Sequence, residues 1–441
     1  MNYATFDALA LWEWIEFAVR WLHVVAAIAW IGSSFYFIAL DLGLRKAPGA
    51  PAGVLGEEWQ VHGGGFYHIQ KYGVAPEHMP EDLVWHKWQA YTTWLSGALL
   101  LAIVYWAGAE LFLIDHEKMP LPAWGAIAIS IAVIGLGWLL YDNLCKFFLA
   151  RQRAGNESPL VSDTALFAVV FVFLTIMGWL LGNVFTGRAA FIHVGAMIAT
   201  IMAGNVAMVI IPNQKIVVAD LIAGRKPDAI YGQIAKQRSL HNNYFTLPVI
   251  FLFLSNHYPL ATSTAYAWII IAIVLLMGVV IRHFFNTMHR TGRRENWTWG
   301  VAAGLFLFMI GLSAYPAFTT TPEEARAAPV TVSGATVEAS GGIPPRVAMT
   351  GEMKALAASP LFADAQNAVL GRCSMCHARV PTWPDMGHPP MNVVLENETD
   401  ILREAGRIAT QSVASHAMPP GNITGMLDEE RAVLARWLGG E

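Results

Sequence analysis

Arg20-Trp21-Leu22-His23-Val24-Val25-Ala26-Ala27-Ile28-Ala29-Trp30-Ile31-Gly32 sits inside an apolar run, Trp14–Leu40, long enough to cross a bilayer as one helix. Seven further runs repeat the pattern: Ala90–Phe112, Pro122–Tyr141, Thr164–Val184, Ala189–Ile211, Asn242–Ser255, Tyr266–Arg282 and Trp297–Ala317. The sixth is short and holds Pro248, which a membrane helix tolerates where neighbours satisfy the freed carbonyl. The fold expected is all-α, a polytopic helical membrane bundle of about eight transmembrane helices. Composition points the same way. The 441 residues are 55% hydrophobic and 14% charged, against roughly 25% charged in soluble domains.

Loop charge sets the expected orientation. Arg45, Lys46, Lys71, Lys87, then Lys146, Arg151, Arg153, then Lys215, Arg225, Lys226, Lys236, Arg238, and finally Arg290, Arg293, Arg294 fall in the odd loops. The even loops hold Lys118 and Arg188. The odd loops are therefore read as cytoplasmic, and an even number of spans puts both chain ends in the periplasm of a bacterial inner membrane. The first ten residues lack a basic region, so the first helix is expected to do the targeting. A net charge of -4 with no basic surface argues against a nucleic-acid partner.

A different signal lies near the C-terminus. Cys373-Ser374-Met375-Cys376-His377 has the spacing of a c-type haem attachment site. Two thioethers from Cys373 and Cys376 would hold the macrocycle, and His377 would be one axial iron ligand. Met418, in His416-Ala417-Met418-Pro419-Pro420-Gly421-Asn422, is the second axial candidate, with Met386, Met391 and Met426 as competitors. A thioether opposite an imidazole raises the potential and suits electron acceptance. Helices are expected from about Pro360 to Arg372 and from Leu427 to Leu438. This portion, about 350–441, resembles a class I cytochrome c. Covalent haem c also requires attachment outside the cytoplasm, which agrees with the loop charges. The domains expected are 1–317 in the membrane, 318–349 as a flexible linker rich in Ala, Thr, Pro, Gly and Ser, and 350–441 as the haem domain. Cys145 stands alone in an apolar segment and reads as a buried bystander.

Ionisable groups at membrane depth are functional candidates. His23 and His193 fall at similar depth in the first and fifth runs, each followed by small residues, and are candidate ligands of a haem b; the plainer alternative is a hydrogen bond between helices. Around Gly63-Gly64-Gly65, alternating residues read as a β-hairpin carrying His62 and His68. His86 and Lys87 enter the second helix beside Trp85 and Trp88, and other odd-side helix ends add Arg238, His241, Asn242 and Asn243, then Arg282, His283, Asn286 and His289. Aromatic rings, imidazoles, amides and cations together suit a flat anionic heterocycle, and an interfacial aromatic belt would look similar. His62, His68, His86 and Lys87 are the catalytic candidates.

Val61-His62-Gly63-Gly64-Gly65-Phe66-Tyr67, Trp88-Gln89-Ala90-Tyr91-Thr92-Thr93-Trp94-Leu95-Ser96-Gly97 and the haem motif, in that order along the chain, resemble the membrane-bound, cytochrome-c-fused urate oxidases of bacteria (PuuD type). The resemblance implies oxidation of urate to 5-hydroxyisourate, with electrons passing through haem c to a soluble cytochrome c or terminal oxidase of the respiratory chain. Two other classes fit the residues alone. One is an electron conduit from quinol to periplasmic cytochrome c without purine chemistry. The other is a permease with a redox-sensing tail.

Overall fold

The computed structural model describes residues 3–46, 48–73, 76, 79–115, 118–155, 158–262, 264, 266–319, 330–332, 335–337, 350–383, 389–390, 393–414, 418–419 and 424–439. Each of the eight apolar runs is helical. Among the longer elements, α1 spans Tyr3–Gly43, α2 Trp88–Leu100, α3 Ala123–Arg153, α4 Pro159–Gly182, α5 Gly187–Gly204, α6 Ile211–Ile222, α7 Ala229–Leu254, α8 Ala267–Thr291 and α9 Trp297–Thr319. A π turn, Leu101–Trp106, extends α2, and a second, Asn205–Ile210, joins α5 to α6 without a break. Such π turns carry one extra residue and commonly sit at functional sites. Trp14–Gly43, Ala123–Arg153, Ser162–Gly182, Gly187–Ile222 and Ala267–Thr291 are long and apolar enough to cross a membrane, and Trp297–Ser313 is apolar but shorter.

These helices are apolar outward and polar inward. Trp21, Ile28, Leu136, Leu139, Leu307 and Phe308 are exposed, whereas Arg238, His241, Asn242, Asn243, Arg282 and Asn286 are buried. Lipid solvates apolar side chains and does not solvate these polar ones, so they turn to one another. Arg238, placed by its position among the loop cations, is instead inside α7 and only 2% exposed. The helix is longer than the apolar run because its polar half packs inside the bundle. Close packing uses small residues at the contacts. A side chain at Gly204 would meet the Trp138 ring, one at Gly137 would meet Met197, and one at Gly278 would meet the ring of Pro248. Gly278 thus gives the proline inside α7 room against α8.

The hairpin forms as the alternation suggested. β1, Val54–His62, pairs antiparallel with β2, Gly65–Tyr72, with Val61 opposite Phe66 and Trp59 opposite His68. Gly63 and Gly64 make the two-residue turn at φ +59° and +81°. That turn needs left-handed backbone at both positions, which glycine adopts without steric cost.

The chain divides into two compact units. One holds residues 19–256 and 265–312, the other 1–18, 257–264 and 313–441. Within the expected linker, Val330–Val332 pairs with Ala335–Val337, and most of its remaining residues lie outside those described. In the C-terminal region, helices Phe362–Arg372 and Asp428–Trp437 pack through Phe362 and Trp437, whose ring centroids are 5.6 Å apart. They enclose a core with Val369, Cys373, Leu395, Ile401, Met426 and Leu434.

Candidate functional site

The membrane unit contains a cavity of about 330 Å³ between α1, the entry to α2, the α5–α6 π turn and α7. That is within the size range of small-molecule sites. Trp30 and Phe37 of α1 and Trp85 give it aromatic walls; Ser34, His86, Gln214, Ser239 and Asn242 give it polar ones. Trp85 and Trp30 pack on a small core of Ala90, Val206 and Ile211, which fixes the wall. His86 is held edge-on against Phe37, with ring centroids 4.8 Å apart. Asp41 also lines the cavity and is ion-paired with Lys71 of the hairpin.

Asn242 is pinned from both ends. Its amide donates to the Met202 carbonyl at 3.0 Å and its carbonyl accepts from Asn205 at 2.8 Å. Asn205 also donates to the Tyr141 hydroxyl at 3.1 Å and accepts from Arg238 at 3.0 Å. The Tyr141 hydroxyl also lies 2.7 Å from His241 Nδ1, within hydrogen-bond distance. Arg238 pairs with Asp142 at 2.7 Å. Arg238, His241 and Asn242 were among the polar groups read from the sequence, Tyr141, Asp142 and Asn205 were not, and their joining in one interior network was not foreseen. A signal existed: Arg238, His241, Asn242, Phe245, Val249 and Leu252 recur at helical spacing on one buried face.

Of the four catalytic candidates, only His86 lines the cavity. His62 is exposed at the hairpin tip. His68 stacks on Trp59, with centroids 4.2 Å apart and planes 8° apart, and pairs with Glu57 at 2.8 Å. The His68 hydrogen bond, then that of Gln70, hold the Glu57 carboxyl below its ordinary pKa. The Lys87 ammonium lies over Trp88, 5.9 Å from the ring centroid.

The two membrane histidines occupy different surroundings. His193 Nδ1 donates to the Ala189 carbonyl at 2.7 Å, so Nε2 is the acceptor, and the Ser130 hydroxyl lies 2.7 Å from it. Both nitrogens are taken, and the ring is packed against Tyr105 and Phe185. The contact with Ser130 is the hydrogen bond between helices that stood as the alternative to an iron-ligand role for His193. His23 Nδ1 donates to the Thr93 carbonyl at 3.0 Å, and the ring abuts Gly97.

The haem motif does fit its group. Cys373 is buried and Cys376 half-buried on the short helix Ser374–His377. Burial pushes the Cys373 thiol up to about 11. His377 Nδ1 donates to the Val393 carbonyl at 2.8 Å, which fixes the tautomer and leaves Nε2 as the nitrogen that would meet an iron. Burial also holds this imidazole below its ordinary pKa, the neutral form that metal binding requires. Met418 is half-buried and tied through its backbone to Gln411 and Arg431, while Met426 is packed in the core. Met386 and Met391 lie outside the described residues.

An inward-polar helical bundle with several membrane-length apolar helices and an aromatic-walled cavity defines a polytopic membrane protein. The family model described as urate oxidase N-terminal matches residues 9–313, which includes every residue lining that cavity. The chain belongs to this urate oxidase family. No curated protein and no solved structure matches it.

Proposed function

We propose that this protein is a membrane urate oxidase that converts urate to 5-hydroxyisourate and delivers the electrons to a covalent haem c in its C-terminal domain. The observation that carries the reading is the cavity around His86 inside the segment matched by the urate oxidase family. Urate is flat, and at neutral pH it is an anion with alternating donors and acceptors. Trp30, Phe37 and Trp85 suit its faces, and Ser34, Gln214, Ser239 and Asn242 suit its edges.

The net reaction adds water and releases two protons and two electrons. His86 is the group in reach of the cavity for taking a proton, the task imidazole performs best near neutral pH. The fixed Asn242 amide orients the purine edge, and the aromatic walls limit the water that reaches it. A haem held by Cys373, Cys376, His377 and Met418 supplies single-electron acceptance. Eight spans with the odd loops cytoplasmic, a haem domain at 350–441 in the periplasm, and a soluble cytochrome c or terminal oxidase as final acceptor complete the proposal.

The direct experiment is turnover of the purified full-length protein with urate and ferricytochrome c. Urate consumed with two ferricytochromes reduced per purine supports it. Reduction by a quinol but not by urate would return the protein to the electron-conduit class.

A further inference from the structure

The β1–β2 hairpin folds back along α1 instead of continuing past its end. Arg45, just beyond the helix, exchanges both backbone hydrogen bonds with Glu57, at 3.0 and 2.9 Å. Within the helix, Asp41 pairs with Lys71, and the Tyr36 hydroxyl donates to Gln60 at 2.7 Å. From Arg45 to Tyr36 these contacts step back along the helix by ~13 Å. From Glu57 to Gln60 they step forward along the strand by ~10 Å. The hairpin tip therefore points toward the middle of the apolar run. Tyr36 comes seven residues before Gly43, where α1 ends. The tip is thus level with the span itself.

The two faces of the hairpin differ. Gln60 turns to α1, so the alternate residues Trp59, Val61, Phe66 and His68 lie on the face turned away from it. Polarity on that face falls toward the tip. Glu57 and Gln70 stand at the base, Trp59 stacked on His68 comes next, and Val61 opposite Phe66 comes last. Trp59 is 63% exposed, Val61 72% and Phe66 76%. Carboxylate and amide, then amphipathic ring, then apolar side chain is the order met on passing from water through headgroups to acyl chains.

We infer that the hairpin face formed by Trp59, Val61, Phe66 and His68 is seated in the lipid of the protein's own bilayer, with Val61 and Phe66 at the boundary between headgroups and acyl chains. The glycine turn sets the depth, because its free backbone groups are costly in hydrocarbon and are solvated at the headgroups. A lone two-stranded hairpin is marginal in water; α1 on one side and lipid on the other supply its packing. Lys71, paired with Asp41 in the cavity wall, ties the seated hairpin to the cavity.

The test places an environment-sensitive fluorophore on Phe66→Cys, and separately on Val61→Cys, in the full-length protein in phosphatidylcholine nanodiscs. Both positions are exposed, so neither change disturbs the core. Lys226→Cys, in the exposed α6–α7 loop, is the aqueous reference. Cys145 is buried, and label taken up by the parent chain is subtracted. The probes at residues 61 and 66 should emit to the blue of the reference. They should lose most of their emission to a lipid carrying a nitroxide near the top of its acyl chain, and little to iodide. Iodide quenching equal to that at residue 226 would put the face in water and overturn the inference. Protection from both quenchers would overturn it too, since protein, such as a second copy of the chain, would then cover the face.

Discussion

At the residue scale, the structure separates groups that look alike in the sequence. His62, His68 and His86 lie close together along the chain, and only His86 lines a cavity. His86→Ala should lower urate turnover roughly 10²–10⁴-fold while leaving the haem spectrum intact, the range typical of a lost proton acceptor. His68→Ala, which breaks a stack and an exposed pair, should leave turnover within a few-fold of the parent; steady-state kinetics on both variants checks the assignment. In the haem domain, Cys373→Ala with Cys376→Ala should abolish covalent haem, read by haem staining after denaturing electrophoresis. Met418→Ala should retain covalent haem and lower its reduction potential, because the remaining ligand set loses the thioether. An unchanged potential would hand the iron to another methionine. The haem candidates could be proposed from the sequence because c-type haem attachment demands a fixed local spacing. Asp142 and Asn205, the partners of Arg238, could not, since they lie 96 and 33 positions from it. A cation near a helix end also reads equally well as a loop charge.

At the element scale, local patterns were legible and the interior was not. The hairpin followed from period-two alternation and consecutive glycines, two signals that depend on neighbours alone. Gly64→Val should disrupt that turn at a cost of about 1–3 kcal/mol, because it forces a β-branched residue to positive φ. Faster amide exchange over residues 54–72 is the measurement. The π turn at Asn205–Ile210 carries no sequence signature, although its Val206 and Ile210 line the cavity. Glycines at helix contacts could be seen, but their partners could not. Gly278→Leu places a branched side chain against Pro248 and should destabilise the α7–α8 contact by about 1–3 kcal/mol, as overpacking does. Thermal unfolding in detergent would show a lowered midpoint.

At the scale of the whole molecule, the apolar exterior and buried polar groups follow from one constraint, since the bilayer solvates only the former. Composition made the membrane class legible. It did not reveal a polar seam through the bundle, because the same few charged residues fit a cytoplasmic rim or an interior network. Sidedness belongs to this scale too. Positive odd loops should draw an anionic purine to the cytoplasmic face, so urate should reduce the haem in sealed inside-out vesicles. Reduction only in right-side-out vesicles would reverse the proposed topology. The central claim is that purine oxidation and haem reduction occur in one chain. Anaerobic titration of the oxidised, full-length protein with urate, followed in the haem c absorption bands, tests it most directly. Stoichiometric haem reduction is expected, intact in His68→Ala and at least about a hundredfold slower in His86→Ala. A haem that stays oxidised with excess urate, yet is reduced by dithionite, would contradict it.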